Sequence, residues 1–340
     1  MPTPNDDKLL RMDGWPGGVN NRIRETESAS DRDSNAIPNS AFLRQALNVD
    51  LTAEGHPLRR RGYTLAQAGY AHSVFRGGGL FFVVIDGALM VGPKAAELAQ
   101  VATVNKYLRM SYTTHAGAVY FSNGVDSGRY LTALEVWPGP DQEHVIYDDE
   151  GLELTDNLYE TLPIGQHIAS FSGRIWVADN NTLWFSEGMS TNICRRATNY
   201  FMLPDFITML QPADEGIYIS TASGIYFLQG TDPFTAELND AYGHGVVPFA
   251  FTRVNGDKFG VPEDSVPVWW TKDGVMSVGL SSGEVRQLTR DRLAAPEYGF
   301  GALSIREREG MSQMVSSLQK GGDANNMGAS DSVVAEIRQC

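Results

Sequence analysis

Five stretches of this chain share one layout, and that layout leaves few folds open. Each starts with a run rich in β-branched and aromatic residues that ends at Gly, Asp, Asn or Ser, and most continue into a second apolar run. The stretches are GLFFVVIDGALMVG (79–92), GAVYFSNG (117–124), GRIWVADNNTLWFS (173–186), GIYISTASGIYFL (216–228) and VPVWWTKDGVMSV (266–278). A run of this kind on either side of such a turn is a β-hairpin signature. The starts are separated by 38, 56, 43 and 50 residues. A lone hairpin with one apolar face is marginal in water, whereas stacking successive units at a period of about 40–50 residues buries both faces of each. That spacing predicts the blades of a β-propeller.

The stretch from 70 to 340 is long enough for roughly six units at a period of ~45 residues. The expected fold is therefore all-β, a β-propeller of about five to six blades with an extended N-terminal arm. The oversized 56-residue step contains Pro138, Gly139 and Pro140 and the acidic Asp148, Asp149 and Glu150, and reads as an inserted loop or a degenerate blade. Residues 320–330 (KGGDANNMGAS) read as a flexible linker before a C-terminal strand, SVVAEIR (332–338). That strand is expected to close the ring by pairing with a hairpin from the N-terminal region.

The first 40 residues lack a periodic apolar pattern and read as an extended arm with small anchoring patches around Trp15, Val19 and Ile23. Residues 41–69 hold a hairpin, with Asn48 to Leu51 alternating polar and apolar, a turn at 52–55, and a second strand from Leu58. Arg59, Arg60 and Arg61 are the one basic cluster in an acidic chain. Basic side chains commonly blunt an exposed strand edge, so the cluster has a purely structural reading as well. The candidate inter-subunit contacts are Trp15, Val19, Arg22, Ile23, Arg24, Arg59, Arg60 and Arg61.

Composition follows the same lines. The 35 Gly and 16 Pro residues are spread singly, as turn chemistry requires, and not in a collagen period. With 27 basic and 41 acidic residues the net charge is −14, which opposes general nucleic-acid affinity. No run of eighteen apolar residues predicts a membrane span, and the N-terminus MPTPNDDKLL has no apolar segment of a secretory signal. Cys194 and Cys340 make no disulfide framework, which fits a reducing compartment.

Groupings for catalysis do not emerge. The histidines at 56, 72, 115, 144, 167 and 244 show no metal-ligand spacing, and His244 between two glycines reads as a turn residue. The glycines at 77–79 are not followed by the Lys-Ser/Thr of a phosphate loop, and no G-x-S-x-G elbow occurs. The Asp148–Asp149 pair lacks the alternating oxygen spacing of a calcium loop. No catalytic residue, metal or cofactor is expected. Tyr120, Phe121, Trp176, Trp184, Tyr218, Tyr226, Trp269 and Trp270 fall inside expected strands. They read as packing between blades, with a glycan-binding platform as the alternative.

The arm GGVNNRIRETE (17–27), the hairpin LRQALNVDLTAEGHPLRRRGYT (43–64) and the unit VWWTKDGVMSVGLSSGEVRQLT (268–289) together resemble tailed-bacteriophage virion proteins built on a propeller. The resemblance implies a non-enzymatic structural component of a phage tail or head-to-tail assembly, of hub or nozzle type. Its partners would be other copies of itself in a ring and neighbouring tail, portal or adaptor proteins. DNA would pass transiently without sequence-specific binding, and the acidic charge suits a non-adhesive wall. The chain would reside in the virion, and in the host cytoplasm during assembly. The alternative is a glycan- or receptor-binding propeller module of a virion, which would use aromatic and acidic loops on one face.

Overall fold

The computed structural model describes residues 65–139, 159–188, 190–290, 293, 299–308, 311–319 and 331–336, with short strands at 18–19, 42–43, 49–51, 57–59, 146–147 and 153–154. The fold is all-β. Five four-stranded antiparallel sheets follow one another along the chain as the blades of a propeller. Among the described residues the only helix is the single turn Gly256–Phe259.

The five hairpins read from sequence are the middle of the five blades. Their second strands are Leu80–Ile85, Ala118–Ser122, Arg174–Asp179, Gly216–Thr221 and Val266–Thr271. Each is preceded by a first strand, Ala71–Gly77, Ser111–His115, His167–Phe171, Ile207–Ala213 and Val246–Val254; the first four lie beside the first strand of the next blade, and the fifth lies beside Phe300–Arg308. The tight turns are set by backbone conformation. At Asp86–Gly87, Ala116–Gly117 and Ser172–Gly173 both residues have positive φ, between 47° and 82°. This is the primed-turn geometry whose twist matches that of the flanking strands.

Strand alternation sends adjacent aromatics into different wedges. Tyr120 packs with Trp137, Ile168 and Val177 between blades two and three, whereas its neighbour Phe121 packs with Val84, Leu89 and Met110 between blades one and two. Trp269 meets Tyr218 and Phe227 of blade four, and Trp270 meets Leu303, Met314 and Leu318 on the other side. Fully burying a side chain of this size is worth about 1.5–3 kcal/mol, so each wedge is held chiefly by these residues. Trp176 is buried as well, while Trp184 and Tyr226 are half-buried.

Hydrogen bonds hang each blade on the one before it. Ser73 Oγ accepts the Met110 N–H at 2.8 Å, Ser111 Oγ the Ile168 N–H at 3.2 Å, and Ser220 Oγ the Val246 N–H at 2.8 Å. Between blades three and four the acceptor is a carbonyl, Asn180 O, which takes the Ile207 N–H at 2.8 Å.

The sequence reading of the ring's end needs correction. The C-terminal strand, Asp331–Glu336, pairs with Met311–Gln319, which pairs in turn with Phe300–Arg308. This three-stranded sheet packs on the free face of blade five through Leu303, Met314 and Leu318. The N-terminal hairpin, Val49–Leu51 with Pro57–Arg59, forms a separate two-stranded sheet. The physical reason is reach and proximity, because a nine-residue hairpin directly upstream offers the last strand a long open edge. Residues 320–330 lie outside the described residues.

The long step between blades two and three is an insertion and not a degenerate blade. It holds the small hairpin Ile146–Tyr147 with Glu153–Leu154, and Tyr159–Thr161, which pairs with Ile193–Arg195. Trp137 anchors its entry: the ring stacks edge-on against Tyr120 at 5.2 Å, and Nε1 donates to Thr191 O at 2.9 Å.

Candidate functional site

The contact residues expected from sequence fall mostly where the structure gives no account. Trp15, Arg22, Ile23, Arg24, Arg60 and Arg61 lie outside the described residues. Val19 sits on the strand Gly18–Val19, which runs parallel to Phe42–Leu43 and lies beside Asp331–Glu336. Arg59 ends the second strand of the N-terminal hairpin opposite Val49 and is exposed. That exposure agrees with a blunted edge and with a docking contact alike.

Two other places are built by well-packed elements. The first is the mouth of the ring, where side chains from separate blades meet across the axis. The first strand of blade five contains a bulge: Val246 pairs with Thr271 and Phe251 with Trp269, so extra residues are looped out between them. Phe249 lies in that loop with φ of 62°, a conformation uncommon for a bulky side chain. The bulge carries its ring inward to His167 of blade three, 5.2 Å away between centroids, while Phe251 lies 6.2 Å from the same imidazole. Arg109, just before the first strand of blade two, completes the group. Its guanidinium carbon lies 5.6 Å from the Phe249 ring and 5.2 Å from Phe300, and Nη1 donates to Gly301 O at 2.6 Å. Blades two, three and five and the C-terminal sheet thus fill the axis at this end.

The electrostatics here follow from burial. His167 is buried with no partner for Nδ1 among the described residues, and removal from water pushes its pKa down to about 4, so the ring is neutral. His72, at the start of blade one, is also held below its ordinary value by burial, although its Nε2 bonds Lys106 O at 3.0 Å. Against Phe249 and Phe251 the neutral His167 ring acts as packing, whereas His72 is hydrogen-bonded. No group of three or more His, Cys, Asp or Glu among the described residues is placed to hold a metal ion.

The second place is the rim of blade two. Its outermost strand, Leu134–Glu135, pairs on one side with Ser127–Tyr130. Arg129 binds the Glu135 carboxylate, which pins that side chain to the blade. Leu134 and Val136 are two residues apart, on the face opposite Glu135, and are 40% and 76% exposed; Leu131 in the preceding turn is 51% exposed. Three large apolar side chains within six residues of an outer strand go beyond the scattered exposure normal for a surface.

Sequence reasoning missed both places. The alternation in LTALEV (131–136) was a usable sign of a strand, but the sequence does not show that it lies outermost. Nothing local marks Arg109 or Phe249, whose meeting depends on blades far apart in the chain. The strand aromatics expected to pack between blades do so.

No protein-family model matches the sequence, and no curated protein matches it. Among solved structures, the extracellular domain of BT4673 from B. thetaiotaomicron is similar at 14% identity and a TM-score of 0.48. That likeness covers 80% of this chain and 33% of the other, so this chain spans about a third of it. The WD40 domain of Neurospora crassa Pan2 is similar at 11% identity and a TM-score of 0.41, over 74% of this chain and 75% of the other. Likenesses this distant add nothing to the fold read from the strands. No described helix is long and apolar enough to cross a membrane.

Proposed function

We propose that this chain is a non-enzymatic structural subunit of a tailed-phage virion, placed in the tail or head-to-tail region and assembled from several copies of itself with neighbouring tail, portal or adaptor proteins. The observation that carries the reading is the exposed apolar rim of blade two, Leu131, Leu134 and Val136, on a strand whose outer edge has no partner among the described residues. Such an edge offers both backbone groups and apolar surface to another chain. The exposed Arg59 and the arm beyond it supply further contacts in this reading.

The filled axis refines the place of DNA. Phe249, His167 and Arg109 occupy the mouth of the propeller's own ring, so a DNA path in this reading runs between copies and not through one of them. The net charge of −14 makes that surface weakly repulsive to phosphate. A glycan- or receptor-binding module remains the second reading. It rests on Tyr70 and Tyr107, exposed aromatics near the mouth, since the strand aromatics are committed to the wedges.

Light scattering on the double variant Leu134→Asp/Val136→Asp tests the assembly reading. Exposed substitutions of this kind change folding stability by about 0.5 kcal/mol or less, so the variant should stay folded and lose the oligomer formed by the native chain. A native chain that is monomeric, or an oligomer indifferent to both substitutions, contradicts it. A positive glycan array with a monomeric chain favours the second reading.

A further inference from the structure

We infer that the mouth of the ring is an oxyanion site, with the Arg109 guanidinium as receptor and a carboxylate or a phosphate group as ligand. The inference stands apart from the assembly reading and rests on how this cation is held.

The side chain is fixed in place. Its loop is pinned on one side by the Met110 N–H bonded to Ser73 Oγ at 2.8 Å and on the other by the contact of 3.0 Å between His72 Nε2 and Lys106 O. Nη1 is spent on Gly301 O, and its other N–H groups bond to no described residue. Receptor groups held in one pose lose little conformational freedom on binding.

Among the described residues the charge is also uncompensated. Arg129, Arg174, Arg195, Arg196 and Arg286 each lie within 4.0 Å of a carboxylate, whereas no described carboxylate pairs with Arg109. Arg76, Arg253 and Arg290 share that lack, but Arg76 and Arg290 are exposed to water and Arg253 donates to Pro212 O, Ser265 Oγ and Ser265 O. Two carboxylates of the same face are engaged elsewhere: Asp86 Oδ1 accepts the Tyr70 N–H at 3.2 Å, and Asp126 Oδ2 accepts the Asn105 N–H at 2.7 Å. A half-buried cation without a counter-charge is costly, and an entering anion offsets that cost. Phe249 and Phe300 lie against the guanidinium, whose in-plane N–H groups suit the paired oxygens of a carboxylate or phosphate. Exposed Lys106 on the same loop adds positive potential.

The test is thermal unfolding of the full chain in acetate and in inorganic phosphate, each against chloride at equal ionic strength, for the native protein, Arg109→Gln, Arg109→Lys and Arg286→Gln. The inference predicts a rise in Tm with at least one of the two anions, and the stronger of them identifies the ligand chemistry. The rise should vanish in Arg109→Gln, shrink in Arg109→Lys, which keeps the charge but not the fork, and persist in Arg286→Gln. Losing a charged hydrogen-bonding partner corresponds to about tenfold in affinity or more. Equal behaviour of both anions and chloride overturns the inference, as does a rise undiminished in both Arg109 variants or equally lost in Arg286→Gln. If Arg109→Gln does not fold, the Arg109→Lys comparison decides.

Discussion

Buried polar atoms at single residues set the chain's response to pH and to substitution. The unfolded chain protonates His167 near its ordinary value of 6.5, whereas the folded ring resists protonation down to about 4. Stability from this group is therefore complete above pH 6.5 and is lost as pH falls toward 4, a difference of roughly 3 kcal/mol. Burial shifts His72 and His115 in the same direction. Urea unfolding at pH 7.5 and 4.5 should show a smaller acid loss in His167→Phe than in the native chain; an equal loss would place the acid sensitivity elsewhere. Trp270 makes a second case, because its Nε1 is buried without a partner among the described residues. Trp270→Phe removes an unsatisfied donor along with some volume and should cost well under the ~3–5 kcal/mol of Trp270→Ala. A phenylalanine as damaging as alanine would mean that Nε1 has a partner after all.

Elements are joined by the bonds that suspend each blade from its predecessor. Ser220 and Val246 are both fully buried, so Ser220→Ala strands the Val246 N–H away from water and should destabilise the protein by about 1–3 kcal/mol. Gly165 and Gly245 precede the first strands of blades three and five, and a Cβ there would lie 2.1 Å from Ala178 O and 2.2 Å from Thr221 O. Gly165→Ala or Gly245→Ala should cost about 1–3 kcal/mol through forced backbone shifts, read as a fall in Tm. At the opposite end of the blades, Ala116 has φ of 47° in a primed turn, and Ala116→Asn should raise stability modestly, since Asn tolerates that region. An unchanged Tm in Ser220→Ala would show that the suspension bonds are incidental.

The hairpins were legible in the sequence because their signal is local: Asp86–Gly87 or Asp273–Gly274 between two apolar runs needs no knowledge of neighbours. The pair Phe300–Arg308 and Met311–Gln319 escaped because its apolar residues alternate with Ser, Arg, Glu and Gln, so no dense run stands out. The serines that suspend the blades bond residues 26 to 57 positions away, the bulge that turns Phe249 inward meets His167, 82 positions away, and Arg109 and Gly301 lie 192 apart. Such pairings leave no periodic trace.

At the scale of the whole molecule, the five hairpins become one ring segment after another, and the excess glycine is the turn chemistry of that repetition. Side chains of blades two, three and five meet at the mouth of the ring around Arg109, while Leu131, Leu134 and Val136 leave apolar surface on the rim of blade two, the surface offered to neighbouring chains. A density map of the assembled particle tests this most directly. The account predicts several copies around a common opening, with Leu131, Leu134 and Val136 of each buried against a neighbouring chain. Copies whose blade-two rims face solvent throughout, or a chain that enters no assembly, would contradict it.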